Sequence, residues 1–105
     1  MNELLLLINM SRTFPLTEHK TLTSIAEKRA AYLCNNEFSH KGWHVYKSKF
    51  LYRGENLAKD FSDYKSMHEA FMSSGSHRAN ILNTNYYYIG LATKCNITVQ
   101  EFGGN

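Results

Sequence analysis

The chain has 105 residues, 43% of them apolar and 20% charged. That leaves room for one modest core and reads as a single globular domain over residues 1–105, not as a disordered tail. The net charge of +3 is too small to argue for nucleic acid, which asks for clustered Lys and Arg. The densest basic group is Lys41, Lys47, Lys49 and Arg53; aromatics dilute it, and it reads as a solvated face.

The chain opens on Leu4 to Ile8, its only long apolar run. That run is far short of the ~20 residues of a membrane-spanning helix. It also departs from a secretory leader, because Glu3 precedes it and no small-residue cleavage site follows. The spacing predicts a helix over 2–10, with Asn2 able to cap it. Pro15 closes the next loop. Leu22, Ile25, Ala26, Arg29, Ala30 and Leu33 then recur at three- and four-residue steps, which predicts a helix over about 21–35.

Residues 40–54 are too aromatic for a plain loop, and a short helix is expected around 45–50. The next helix is predicted from Ser62 as cap, aided by Asp63, through a stripe of Tyr64, Met67, His68 and Phe71. Gly75 fits its stop, and Ser76 is expected to cap one further turn to Leu82. From Tyr86 the period changes to two. Residues 86–91 and 97–102 predict a hairpin turning at 94–96 and lying centrally in a sheet. Helices first and strands last imply an α+β layered domain.

Cys34 and Cys95 form no CxxC motif. One is expected to close a helix and the other to sit at the hairpin tip, beyond the ~7 Å between Cα atoms that a bridge allows. Two free, partly buried thiols are the expectation.

Five histidines compete for chemistry. His68-Glu69 starts like a zinc-binding HExxH helix, but position 72 is Met72, so that motif is absent. His19 and His44 read as solvated, and His68 as a core-edge residue. His40 and His77 differ, since each stands at a helix end beside a small-residue loop, with Arg53 to Ala58, "RGENLA", between them.

In order, "FSH", "GENLA", "SSGSHRANILNTNYYYIGLA" and the closing "QEFGG" resemble the CAP superfamily. These are the cysteine-rich secretory protein, antigen 5 and pathogenesis-related 1 domains, here in their bacterial SCP-like branch. "LINMSR" before Pro15 and Leu16 is similar to that branch's opening, and the resemblance spans residues 5 to 103. It implies an α-β-α sandwich around a short antiparallel sheet. It also implies that His40, Glu55 and His77 converge in an open groove, where the two imidazoles hold a divalent cation such as zinc with water completing the shell. Glu55 would orient a histidine, or act as base if the protein were an enzyme. Ser76, Arg78, Asn56 and Tyr86 would support the groove.

Ser74 stands where many eukaryotic members carry a second glutamate, which weighs against hydrolysis. The resemblance therefore implies a monomeric module binding a small apolar, peptide or cell-wall ligand, linked to extracellular or host-interaction roles. A metal-dependent, peptidase-like hydrolase is the alternative. Another is an interaction scaffold using Trp43, Tyr46, Tyr86 and Tyr88 as its contact patch.

Overall fold

The computed structural model describes residues 2–105, with side chains from Glu3 onward; the expected Asn2 cap lies outside the described side chains. The elements in chain order are α1 (Asn2–Met10), β1 (Thr17–Glu18), α2 (Lys20–Leu33), β2 (Tyr52–Lys59), α3 (Tyr64–Met72), α4 (Gly75–Leu82), β3 (Tyr88–Lys94) and β4 (Ile97–Gly104). The strands form one sheet in the order β1-β3-β4-β2. The predicted hairpin is thus its centre. Its two-residue loop uses left-handed backbone at Cys95 (φ 54°) and Asn96 (φ 59°), the handedness that matches the strands' own twist.

Two features of the sheet depart from expectation. The short β1 runs parallel to β3, so the sheet is mixed. The "RGENLA" stretch, for which no periodicity predicts an element, is the body of β2, paired antiparallel to β4 with Glu55 directly opposite Glu101. Its residues are buried on both faces, so no polar-apolar alternation announces a strand.

Helices cover both faces. On one, α2 packs Ala26, Ala30 and Leu33 on Leu57, Ala92, Ile97 and Val99. It lies so close to β3 that a Cβ on Gly90 would come within 2.0 Å of the Leu22 carbonyl carbon. On the other, α1, α3 and α4 supply Leu4, Ile8, Met67, Phe71 and Ile81 to a core with Ala58, Ile89, Leu91 and Phe102. This is the expected α-β-α sandwich. Arg12 fastens the second layer, donating to the carbonyls of Ile81, Asn83 and Tyr86.

Helix ends differ in detail from the sequence reading. Asp63, not Ser62, caps α3 by accepting from the Ser66 N–H at 2.7 Å. Gly75 does not stop α3, because it lacks the positive φ of a glycine C-cap. It opens α4 instead, with Ser74 at the cap position and Ser76 one residue inside the helix. The helix expected at 45–50 is a single tight turn at Trp43–Val45 followed by chain without regular secondary structure up to β2.

The thiol expectation is overturned. Cys34 and Cys95 are joined in a disulfide with Cα atoms 5.6 Å apart. Both cysteines occupy the places read from sequence, the end of α2 and the hairpin tip. What periodicity could not show is that α2 runs along the hairpin toward its tip, drawn there by the contact of Ala30 and Leu33 with Ile97.

Candidate functional site

Because β2 is an edge strand, loops from both helical layers reach the same place beside it. Glu55 and Glu101 point to the α2 side, and there Arg29 descends from the helix. Its Nε donates to Glu55 Oε2 at 2.8 Å and its Nη2 to Glu55 Oε1 at 3.0 Å. The same guanidinium binds the carbonyls of Ser39 and Lys41, bracketing His40. The His40 Nδ1 then meets Glu55 Oε1 at 2.8 Å. The Arg29 and Glu55 side chains are each 1% exposed, and that of His40 is 55% exposed. A buried bidentate ion pair therefore aims one solvent-facing imidazole, whose Nδ1–H is donated to the Glu55 carboxylate.

His77 arrives from the other layer, on the first turn of α4. Its Nδ1 lies 2.8 Å from Ser74 Oγ, and its ring packs on Phe71. The Ser74 hydroxyl thus spends itself on the imidazole, not on a backbone N–H of the helix. Burial lowers the His77 pKa, and the nearby His40 charge lowers it further. Neither histidine's Nε2 has a hydrogen-bond partner among the described residues.

Asn56 is the keystone between the layers. Fully buried, it donates to the His77 carbonyl at 3.1 Å and to Gln100 Oε1 at 3.0 Å, and it accepts from Asn80 at 2.9 Å. Three further residues are expected to support the groove. Ser76 and Arg78 are exposed, and neither side chain makes a hydrogen bond among the described residues; the helix start is organised by Ser74 and Asn80 instead. Tyr86 is buried, stacked on Phe102 and bonded to the Arg53 carbonyl, so it braces β2, the strand that carries Glu55. Of the aromatics suggested for a scaffold patch, Tyr46 and Tyr88 pack against the same Leu22–Ile25–Phe50 cluster, and Tyr88 also meets His19.

Glu101 and Arg29 are the members of the site that the sequence reading missed. Opposed carboxylates on paired strands repel. Here burial and the hydrogen bond to Glu55 push Glu101 up to about 10, so it stays protonated. Trp43 Nε1 donates to its Oε1 at 2.7 Å, and Oε2 is left without a partner unless it carries that proton. For Glu55, burial raises the pKa, but hydrogen bonds from Glu101, Arg29 and His40 outweigh it and hold the group below its usual range. Near neutral pH the folded state thus keeps a proton on Glu101 that the unfolded chain releases. Stability should fall as pH rises through that window. Glu101→Gln, which can still donate to Glu55 and accept from Trp43, is expected to add about 2 kcal/mol near pH 8 and almost nothing near pH 4. Urea denaturation at both pH values checks it; equal changes at the two would mean that Glu101 is ionised.

Among the described residues no group of three or more His, Cys, Asp or Glu side chains is placed to hold a metal ion. The donor set is the two imidazoles, with both Glu55 oxygens already engaged.

A family model described as "Cysteine-rich secretory protein family" (CAP) matches residues 11–102. The chain belongs to the CAP family. Its fold is that of an extracellular SCP-domain protein from Bacillus anthracis str. Ames, with TM-score 0.89 and 24% identity over 100% of this chain and 40% of that one. A cysteine-rich secretory protein from Staphylococcus aureus subsp. aureus Mu50 follows, with TM-score 0.84 and 19% identity over 99% and 38%. This CAP domain therefore spans about two fifths of the length of those two proteins. An outer surface protein from Borrelia burgdorferi matches at TM-score 0.79 and 25% identity over 99% of this chain and 88% of that one. No curated protein matches the chain.

Proposed function

We propose that this CAP domain is a binding module whose groove holds one divalent cation between His40 and His77 and seats a small apolar or extended ligand beside it. The observation that carries this reading is the pair of free Nε2 atoms. Each imidazole is fixed through its Nδ1, by Glu55 in one case and Ser74 in the other, as the outer partners of metal-bound histidines typically fix theirs. Two imidazoles with water suit zinc or a similar borderline ion, which would supply Lewis acidity and a positive anchor for a ligand's polar end. Next to His77 lies a cleft of about 320 Å³, lined by Phe38, Leu57, Phe61, Ala70 and Phe71 with Lys59 at its edge. That lining suits an apolar chain with an anionic end. The disulfide favours an oxidising, extracellular setting. Glu55 serves here as orienter; a hydrolytic base needs a reachable oxygen, and both of its oxygens are bound and buried.

Calorimetric zinc titration tests the reading. His40→Ala or His77→Ala should abolish measurable binding. Glu55→Gln should weaken it roughly 10- to 100-fold, because the imidazole loses its orienting charge, and His44→Ala should leave it unchanged. Affinity should fall as pH drops through the histidine range, near 6.5, with His77 protonating below that value because burial and His40 disfavour its cation. Equal binding by wild type and His77→Ala would end the proposal.

A further inference from the structure

The segment 45–51 has a feature that the groove does not use. Its residues alternate strictly between inside and outside. Tyr46 and Phe50 turn inward onto Leu22 and Ile25 of α2, and Ser48 lies half-buried between them. Val45, Lys47, Lys49 and Leu51 all face water. The outward edge is thus an aliphatic residue, two lysines and a second aliphatic residue. Val45 is 60% and Leu51 76% exposed, and Tyr52 beyond it is 41% exposed. The cations are not neutralised locally. No acid occurs between Glu37 and Glu55, and Glu55 is buried against Arg29. Lys20 and Lys28 of α2 line the same surface cleft as Val45 and Lys47, a cleft without a carboxylate.

We propose that this edge is a docking surface for an anionic lipid bilayer. The lysines would meet headgroup phosphates while Val45 and Leu51 enter the headgroup–acyl boundary, as in other peripheral anchors. Two points favour lipid over a soluble polyanion. A polyphosphate or nucleic acid would leave the two aliphatic side chains in water, gaining nothing from them. The cations within the segment are lysines, compact point charges without the guanidinium fork that reads phosphates bidentately, and its aromatic rings, Tyr46 and Phe50, are packed inward where no base can stack. Phe50 and Tyr46 also anchor the segment on α2, which limits the chain entropy lost on docking.

Co-sedimentation with phosphatidylcholine vesicles, with and without about 30% phosphatidylglycerol, is the test, since each surface lysine contributes to such binding through the anionic leaflet. Binding is expected only to the anionic vesicles and should weaken with added salt. Lys47→Gln/Lys49→Gln should reduce it roughly 30-fold. Val45→Ser/Leu51→Ser should reduce it roughly 10-fold at low and high salt alike. Lys65→Gln, on exposed α3, should match wild type. The proposal falls if the anionic vesicles do not bind, or if Lys65→Gln loses as much as the lysine pair. It falls equally if the serine variant binds like wild type while inorganic polyphosphate competes, which would make the edge a polyanion site.

Discussion

Arg29→Met should destabilise the domain by about 3 to 5 kcal/mol near neutral pH, the usual cost of removing one partner of a buried ion pair. Methionine fills much of the space but cannot answer the Glu55 charge, which is 1% exposed and opposed to a second buried carboxyl. The deficit should shrink toward acid pH. Without Arg29 the folded-state pKa of Glu55 rises above its unfolded value, so the folded state gains a proton and recovers stability as pH falls. Adding Glu55→Gln to Arg29→Met should restore part of the loss near neutral pH, because the two residues form one unit. Denaturant titration of the three variants at two pH values measures all of this. A loss below about 1 kcal/mol would show that the pair behaves like an exposed one. For the cation site proposed above, the same substitution should also weaken zinc binding, because Arg29 holds the carbonyls on both sides of His40.

Removing the disulfide should have a comparable effect. Cys34 and Cys95 are 61 residues apart in sequence, and opening a loop of that size costs about 4 kcal/mol in the chain-entropy model. For a domain of this length that corresponds to roughly 20 °C in melting temperature. Cys34→Ser/Cys95→Ser and the reduced wild type should melt together, well below the oxidised protein. Identical melting of oxidised and reduced protein would refute it. His40 and His77, which the proposed cation site uses, are on neither bridged segment, and Arg29 stands more than a turn before Cys34 on α2, so at temperatures where the reduced form is folded zinc affinity should be unchanged.

His40, Glu55 and His77 were legible through the resemblance to the CAP superfamily, not through their chemistry alone. A histidine beside a small-residue loop or a glutamate after a glycine is by itself a weak signal; the order of "FSH", "GENLA" and "SGSHRANIL" is what singles them out. Helix α2 and the hairpin were legible because each has one face buried and one wet, which imprints a period. Strand β2 was not, since burial on both sides erases alternation and its Gly54, Glu55 and Asn56 look like a turn. Arg29 sat visibly on the apolar stripe of α2, but only the packing of that helix over β2 supplies its carboxylate partner. Glu101 read as one of the alternating residues of a strand; its protonation depends on the register that sets it opposite Glu55. The disulfide was misjudged for the same reason, because two correctly placed ends had no known distance between them.

The strand order carries a further consequence. The centre of the sheet, β4, is the element furthest along the chain, and both β2 and β3 take their hydrogen bonds from it. While a ribosome is still making residues 53–96, the Leu22–Ile25–Ala26–Leu33 stripe has no completed sheet to cover, and Glu55 has no Glu101 to share a proton with. His40 and His77 cannot be brought together until β2 has found its partner. The strand pairing that positions His40, Glu55 and His77 is therefore completed after synthesis has passed residue 104 and not progressively, and a nascent chain exposes its apolar faces for as long as that takes.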